Sequence, residues 1–167
     1  MSTAGNDSAT PIALRRDEGE ARWFLNALSL IKTSGETSSG GLAIVEQVVP
    51  RGPASPMHVH HREGEWFYVI EGELVVWAGG QLFEAPRGGL VYGPPNVPHT
   101  FDVTSEEARF LLLAQPAGFE RFLRAVSEPA GALTHPPADS PVPDTARLTA
   151  VASEFGIEIL GPPGIPS

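Results

Sequence analysis

Residues 52–72 read GPASPMHVHHREGEWFYVIEG, and the pattern of this stretch decides the fold. His58 and His60 are two apart, so on a strand both imidazoles face one side and His61 faces the other. Arg62, Glu63 and Gly64 compose a turn, with Arg62 and Glu63 read as solvated. Glu65 then opens an apolar run that continues to Trp77. An antiparallel hairpin through this turn would set Glu65 beside His60, facing the same interior. Further on, Gly93-Pro94-Pro95-Asn96-Val97-Pro98 is a proline-rich turn, after which His99 opens another strand. Three imidazoles and one carboxylate converging inside a β-structure make a nitrogen–oxygen metal site. A lone strand histidine is usually packing or surface filler. The weight here comes from Glu65 and His99 both following turns.

Working outward, apolar β-rich runs cover Leu42–Val49, Gln81–Ala85, Gly89–Tyr92, His99–Val103 and Ala108–Ala114, with Gly, Pro or Asn at nearly every junction. Trp23–Thr33 is a further strand, although its leucines also suit a short helix. The chain has 18 glycines and 17 prolines in 167 residues, yet 41% of it is apolar. That balance means many turns between many strands rather than disorder, and so an all-β sandwich or barrel. Within Glu65–Trp77, Phe67, Val69 and Val75 alternate with Trp66, Tyr68 and Ile70, so the run is apolar on both faces. Its outer face is expected to lie under the N-terminal strand, the tail or a second subunit, which points to a homodimer.

After Pro116 the period changes. Phe119, Phe122, Leu123 and Val126 draw one helical stripe, and Phe119 and Phe122 are read as pinning that helix. Ser127–Pro143 is proline-rich and reads as a linker. A second helix follows, with Asp144 as N-cap, Gly156 past its end and Leu148, Val151, Ala152 and Phe155 as its apolar stripe. The expected organisation is a flexible segment over 1–20, a β-barrel over 21–116 and a helical, proline-rich tail over 117–167 packed on the barrel.

The net charge of −9 argues against nucleic acid as a partner. With no cysteine, disulfides, thiolate metal sites and cysteine nucleophiles are excluded. No apolar run approaches the roughly 20 residues of a membrane span, and the first residues lack the apolar core of a secretory signal. The expectation is a cytoplasmic protein that meets neither membrane nor nucleic acid.

Residues 52–72 resemble the first motif of the cupins: Gly52, His58, His60, Glu65 and Gly72 all stand at the family's spacing. Residues 88–103, GGLVYGPPNVPHTFDV, resemble the second through Gly88, Pro94 and His99. Asn96 stands where glycine is usual and Val103 where asparagine is usual. Asparagine tolerates the left-handed conformation, so the turn is expected to survive. The tail, AQPAGFERFLRAV followed later by EFGIEILGPP, is similar to that of actinobacterial single-domain cupins akin to quercetin 2,3-dioxygenases.

The resemblance implies a jelly-roll barrel, the double-stranded β-helix, with a short C-terminal helical tail. It implies one divalent transition metal (iron, nickel, cobalt, manganese, copper or zinc) held by His58, His60, Glu65 and His99. It also implies a quercetinase-like dioxygenase acting on an enolic or aromatic small molecule, with Glu65 as both ligand and general base. Non-oxidative isomerase, cyclase or lyase chemistry and non-enzymatic ligand binding remain as alternatives. Met57, Phe67, Tyr92, Phe101 and Phe110, with Val69 and Leu112, are the candidates for the interior around the metal.

Overall fold

The computed structural model describes residues 10–141 and 144–166. Residues 1–9, within the expected flexible segment, and residues 142 and 143, at the end of the expected linker, lie outside the described residues, as does residue 167. The strands are β1 (Glu20–Phe24), β2 (Ala27–Thr33), β3 (Ala43–Pro53), β4 (Pro56–His60), β5 (Gly64–Glu71), β6 (Leu74–Ala78), β7 (Gln81–Ala85), β8 (Leu90–Gly93) and β9 (His99–Gln115). The tail contributes α1 (Phe119–Val126), β10 (Glu128–Pro129), α2 (Thr145–Glu154) and β11 (Ile157–Pro163).

Strand β9 organises the sheet. The sequence divides it into two runs, but it is one strand of 17 residues. Its first half pairs with β6 and touches β4 at His58–His99, its second half pairs with β5, and β3 pairs chiefly with the second half but reaches Asp102 and Val103 in the first. One layer therefore runs β10-β1-β2-β3-β9-β5-β8 through the second half of β9, and the other runs β11-β4-β9-β6-β7 through its first half. The ladder does not close on itself. Two layers face each other across a jelly-roll core of Phe67, Phe101, Phe110, Val45, Leu74 and Leu112, all buried.

The apolar run from Glu65 to Trp77 is broken between β5 and β6 by Gly72, whose φ is +79°. A Cβ there would sit 2.3 Å from the Glu107 carbonyl oxygen, so only glycine fits this close crossing of the chain. Pairing also corrects the expected β4–β5 hairpin. These strands share no ladder: β4 lies between β9 and β11, and β5 between β8 and β9. The turn joining them steps from one layer to the other.

The tail is as much strand as helix. β11 extends the sheet beside β4, pairing Ile157 with His60 and Ile159 with His58. β10, inside the proline-rich stretch, pairs with β1. Asp144 caps α2 by accepting the Arg147 backbone N–H at 2.8 Å. Fully buried Glu120 accepts N–H groups from Gly118 at 2.8 Å and Gly35 at 2.9 Å, tying the start of α1 to the β2–β3 loop. Arg22 of β1 donates to the Arg124 and Ser127 carbonyls, satisfying the orphan acceptors at the other end of α1. The tail is thereby seated across one end of the jelly-roll.

Candidate metal centre

The side chains of His58, His60, Glu65 and His99 meet, each offering one ligand atom, and those atoms all lie within 4.8 Å of one another. Strand parity brings them there. His58 and His60 share the inner face of β4, Glu65 shares the inner face of β5 with Phe67 and Val69, and His99 starts β9 opposite His58. Ring centroids of His58 and His99 are 4.4 Å apart, and those of His58 and His60 are 5.0 Å apart. His60, Glu65 and His99 are each 1% exposed, whereas His58 keeps some surface towards the cavity it lines.

Each histidine is anchored through its outer nitrogen. Nδ1 of His58 lies 2.7 Å from the Pro56 carbonyl, Nδ1 of His99 2.9 Å from the Val97 carbonyl, and Nδ1 of His60 2.9 Å from the Glu63 carboxylate. All three partners are acceptors, so Nδ1–H donates and Nε2 is left facing inward. Glu65 then receives His99 Nε2 at 3.0 Å and His60 Nε2 at 3.4 Å. Lone pairs opposed to a carboxylate at such distances repel unless a proton or a cation lies between them. Nε2 of His60 and Oε1 of Glu65 are buried without any hydrogen-bond partner. This donor set, three imidazoles and a carboxylate turned on one point, fits a divalent transition metal.

Electrostatics agree with the geometry. Burial opposes ionisation of Glu65, but the surrounding imidazoles prevail and lower its pKa to about 2. Burial and then the neighbouring His99 and His60 push His58 down to about 3, keeping it neutral. Burial also disfavours the charged form of His60, yet Glu65 and Glu63 outweigh it and hold its pKa above the usual value.

The centre opens on a cavity of about 60 Å³. Its walls are apolar, among them Val49, Phe67, Phe101 and Leu112, with Gln47 as a buried amide on the inner face of β3. Phe119 and Phe122 of α1, Leu148 of α2 and Ile157 of β11 roof it, together with Phe24 at the β1–β2 turn. Phe119 and Phe122 thus close the chamber as well as pinning α1. Leu25 in that turn also lines the cavity and is held at φ 54°, an uncommon conformation for a branched side chain. Among the described residues, no Lys or Arg lines the chamber.

The expected interior residues divide. Phe67, Phe101 and Leu112 line the cavity. Phe110 packs behind them, 5.4 Å from Phe101 by ring centroid, and Val69 is in the core. Tyr92 and Met57 are not part of the lining. Tyr92 is the register partner of Trp66, shares its outward face and stacks on it at 4.4 Å, 45% exposed. Met57 alternates with His58 on β4 and lies against Gly161 of β11.

Glu63 is also corrected: it is 3% exposed and bonded to His60, not solvated. Its polar neighbours suggest a surface turn, but β11 and the Asn96 turn pack on either side. The His61 N–H donates to the Gly156 carbonyl at 2.9 Å, and the Asn96 N–H donates to the His60 carbonyl at 2.8 Å. The i, i+3 spacing from His60 was the available signal. Asn96 takes the left-handed conformation expected of it, with φ 65°. The outer face of β5 and β8 is covered by neither the N-terminal strand nor the tail among the described residues: Tyr68 is 42% and Leu90 60% exposed.

The protein is a jelly-roll β-sandwich with a His-His-Glu-His cluster beside a largely apolar chamber. Residues 45–114 match the family model described as the cupin domain, and the chain carries a cupin domain over that stretch. A quercetin 2,3-dioxygenase from Bacillus subtilis is 27% identical over 123 residues, 74% of this chain and 36% of that enzyme. The chain spans between 36% and 53% of the length of the curated relatives it matches. Among solved structures, KdgF from Halomonas sp. superposes with a TM-score of 0.59 at 17% identity, covering 67% of this chain and 99% of that one. A variant oxalate decarboxylase from Bacillus subtilis superposes at 0.56 with 24% identity, covering 64% and 29%. At these identities the likeness establishes the fold alone. No helix among the described residues is long and apolar enough to cross a membrane.

Proposed function

We propose that this protein is a metal-dependent cupin enzyme, a quercetinase-like dioxygenase acting on a small enolic substrate with an apolar body. One observation carries the reading: a buried carboxylate and three imidazoles converge on one point, and His58, His60 and Glu65 of that cluster line a largely apolar chamber. His58, His60, Glu65 and His99 would hold one divalent transition metal. When bound, the metal supplies Lewis acidity and a template for the reactants.

The chain's own groups account for the rest. Glu65 lines the chamber and its Oε1 has no hydrogen-bond partner, which suits it to take the proton of an enolic hydroxyl. The phenylalanine walls bind the apolar body and exclude water, and Gln47 is positioned to orient a polar substituent. With no Lys or Arg in the lining among the described residues, a dicarboxylate or a sugar phosphate finds no counter-charge there. The relative named as a quercetin 2,3-dioxygenase supports the same reaction class.

The cavity is well under the roughly 150 Å³ that holds one benzene ring, so a ring-sized substrate displaces roof side chains. This observation favours a second reading, non-oxidative enolisation by an isomerase, cyclase or lyase, which needs no room for dioxygen. Oxygen-electrode assays of the metal-reconstituted protein with enolic aromatics test the choice. Oxygen uptake that Glu65→Gln abolishes is expected. Substrate turnover without oxygen uptake would select the second reading, and saturable binding without turnover would leave a ligand-binding cupin. We propose further that the exposed outer face of β5 and β8, with Trp66, Tyr68, Leu90 and Tyr92, is where two copies pair as a homodimer.

A further inference from the structure

We infer that Glu63 is a positioning residue of the metal centre: its buried carboxylate fixes the orientation and tautomer of His60 and supplies the second negative charge that a divalent ion needs. The inference rests on the metal-site reading above. Two of the three imidazoles are anchored by backbone carbonyls, of Pro56 and Val97. Only His60 is anchored by a carboxylate, at 2.9 Å, with both groups almost wholly out of water.

Burying a carboxylate is costly unless its charge is used. Arg62, next in sequence, is exposed and makes no ion pair with it. Among the described residues His60 is the one ionic partner of Glu63. The turn that carries Glu63 is pinned on both flanks by the His61–Gly156 and Asn96–His60 backbone hydrogen bonds. The carboxylate is therefore held against the ring by the main chain rather than drawn there by a flexible side chain.

Two consequences follow from the chemistry. A carboxylate accepting Nδ1–H fixes Nε2 as the inward nitrogen and raises its basicity as a ligand, more strongly than a carbonyl does. Charge balance points the same way. Three neutral imidazoles and Glu65 leave a divalent ion with one uncompensated positive charge in an apolar surround. Glu63 brings the assembly to neutrality.

The test uses the full chain, stripped of metal and titrated with Co²⁺ against a competing chelator, followed by the visible cobalt spectrum. Glu63→Gln keeps an acceptor for Nδ1–H but loses the charge, whereas Glu63→Leu loses both. Replacing such outer partners typically weakens metal binding 10–100-fold. Glu63→Gln is expected near tenfold and Glu63→Leu towards a hundredfold, with altered cobalt bands. Exposed Glu84→Gln controls for general charge and is expected to bind as the wild type does. If Glu63→Gln binds cobalt with wild-type affinity and an unchanged spectrum, the proposal is overturned, whether or not Glu63→Leu folds. If the wild type itself takes up no cobalt, the metal-site reading fails first, and the two failures are told apart at that arm.

Discussion

His60 Nε2 lies 3.4 Å from Glu65 Oε1 although β4 and β5, the strands that carry them, share no ladder. The contact spans the two layers of the jelly-roll. β9 makes it possible: its first residue faces His58 across one pairing, and its last residues pair with Gly64 and Glu65 across another. The four side chains of the cluster are thus held by three strands, two of them paired with β9, which suits a site whose atoms must stay in register.

Glu65→Gln separates binding from chemistry. The amide is nearly the same size, so the fold is expected to persist, and the three histidines are expected to keep measurable metal. Losing the base is expected to reduce turnover by about 10²–10⁴-fold. Elemental analysis beside the oxygen electrode checks both halves, and a fully active variant would remove Glu65 from its catalytic role. His58→Ala combined with His60→Ala is expected to lose the metal altogether.

The metal-free protein is expected to weaken in acid, in two windows. His58 titrates at about 3 when folded against 6.5 ordinarily. The unfolded chain therefore takes the proton first, and stability falls as pH drops from 6.5 towards 3. Glu65 titrates at about 2 against 4.5, so its contribution is present above 4.5 and is lost as pH falls towards 2. His60, held above its ordinary value, has the opposite sign: its contribution is full at low pH and declines as pH rises through its folded value. Between pH 6.5 and 4.5 only the His58 loss is in play, on the order of a few kcal/mol at most. Melting temperatures of metal-stripped wild type and His58→Gln across that interval check it: the wild-type slope is expected to flatten in the variant.

How much of this was legible in the sequence depends on how local each feature is. His58 and His60 could be set on one face from spacing because strand parity is a local rule, the family resemblance added Glu65 and His99 to the cluster they form, and the left-handed turn at Asn96 is likewise local. Pairing partners are not local. The hairpin expected between His60 and Glu65 does not form, and two runs in His99–Gln115 are one strand, because β3 pairs with both of them across a register shift between Pro50 and Gly52. Tyr92 was misplaced for the same reason: its face is set by pairing with Trp66, which sequence proximity does not reveal. Glu63 looked solvated because the strand that buries its turn, β11, comes almost a hundred residues later in the chain.

Gly72→Ala is expected to be among the most damaging single substitutions. The added Cβ meets backbone oxygen at 2.3 Å, and the φ of +79° strains any L side chain. Left-handed strain alone costs roughly 1–2 kcal/mol, and the clash adds to it. Denaturant unfolding against Gly80→Ala, where φ is +85° but nothing lies within 4 Å of the new Cβ, isolates the clash. Gly72→Ala should lose distinctly more than Gly80→Ala.

Phe122→Ala tests whether the roof sets substrate size. Phe122 is 4% exposed and packs edge-on against Phe24 and Phe155 at 6.0 and 6.1 Å, so truncation removes a joint between α1, β1 and the end of α2. A cost of about 3–5 kcal/mol is the usual range for a buried Phe→Ala. The same change opens the chamber above the metal centre while leaving all four ligands in place. Small enolic substrates are expected to lose little in kcat, whereas two-ring substrates gain in kcat/KM, since they no longer displace the roof. Comparing the two substrate sizes in one variant removes the stability loss as an explanation, because instability lowers both together. Equal losses for both sizes would mean that the roof only seals the core.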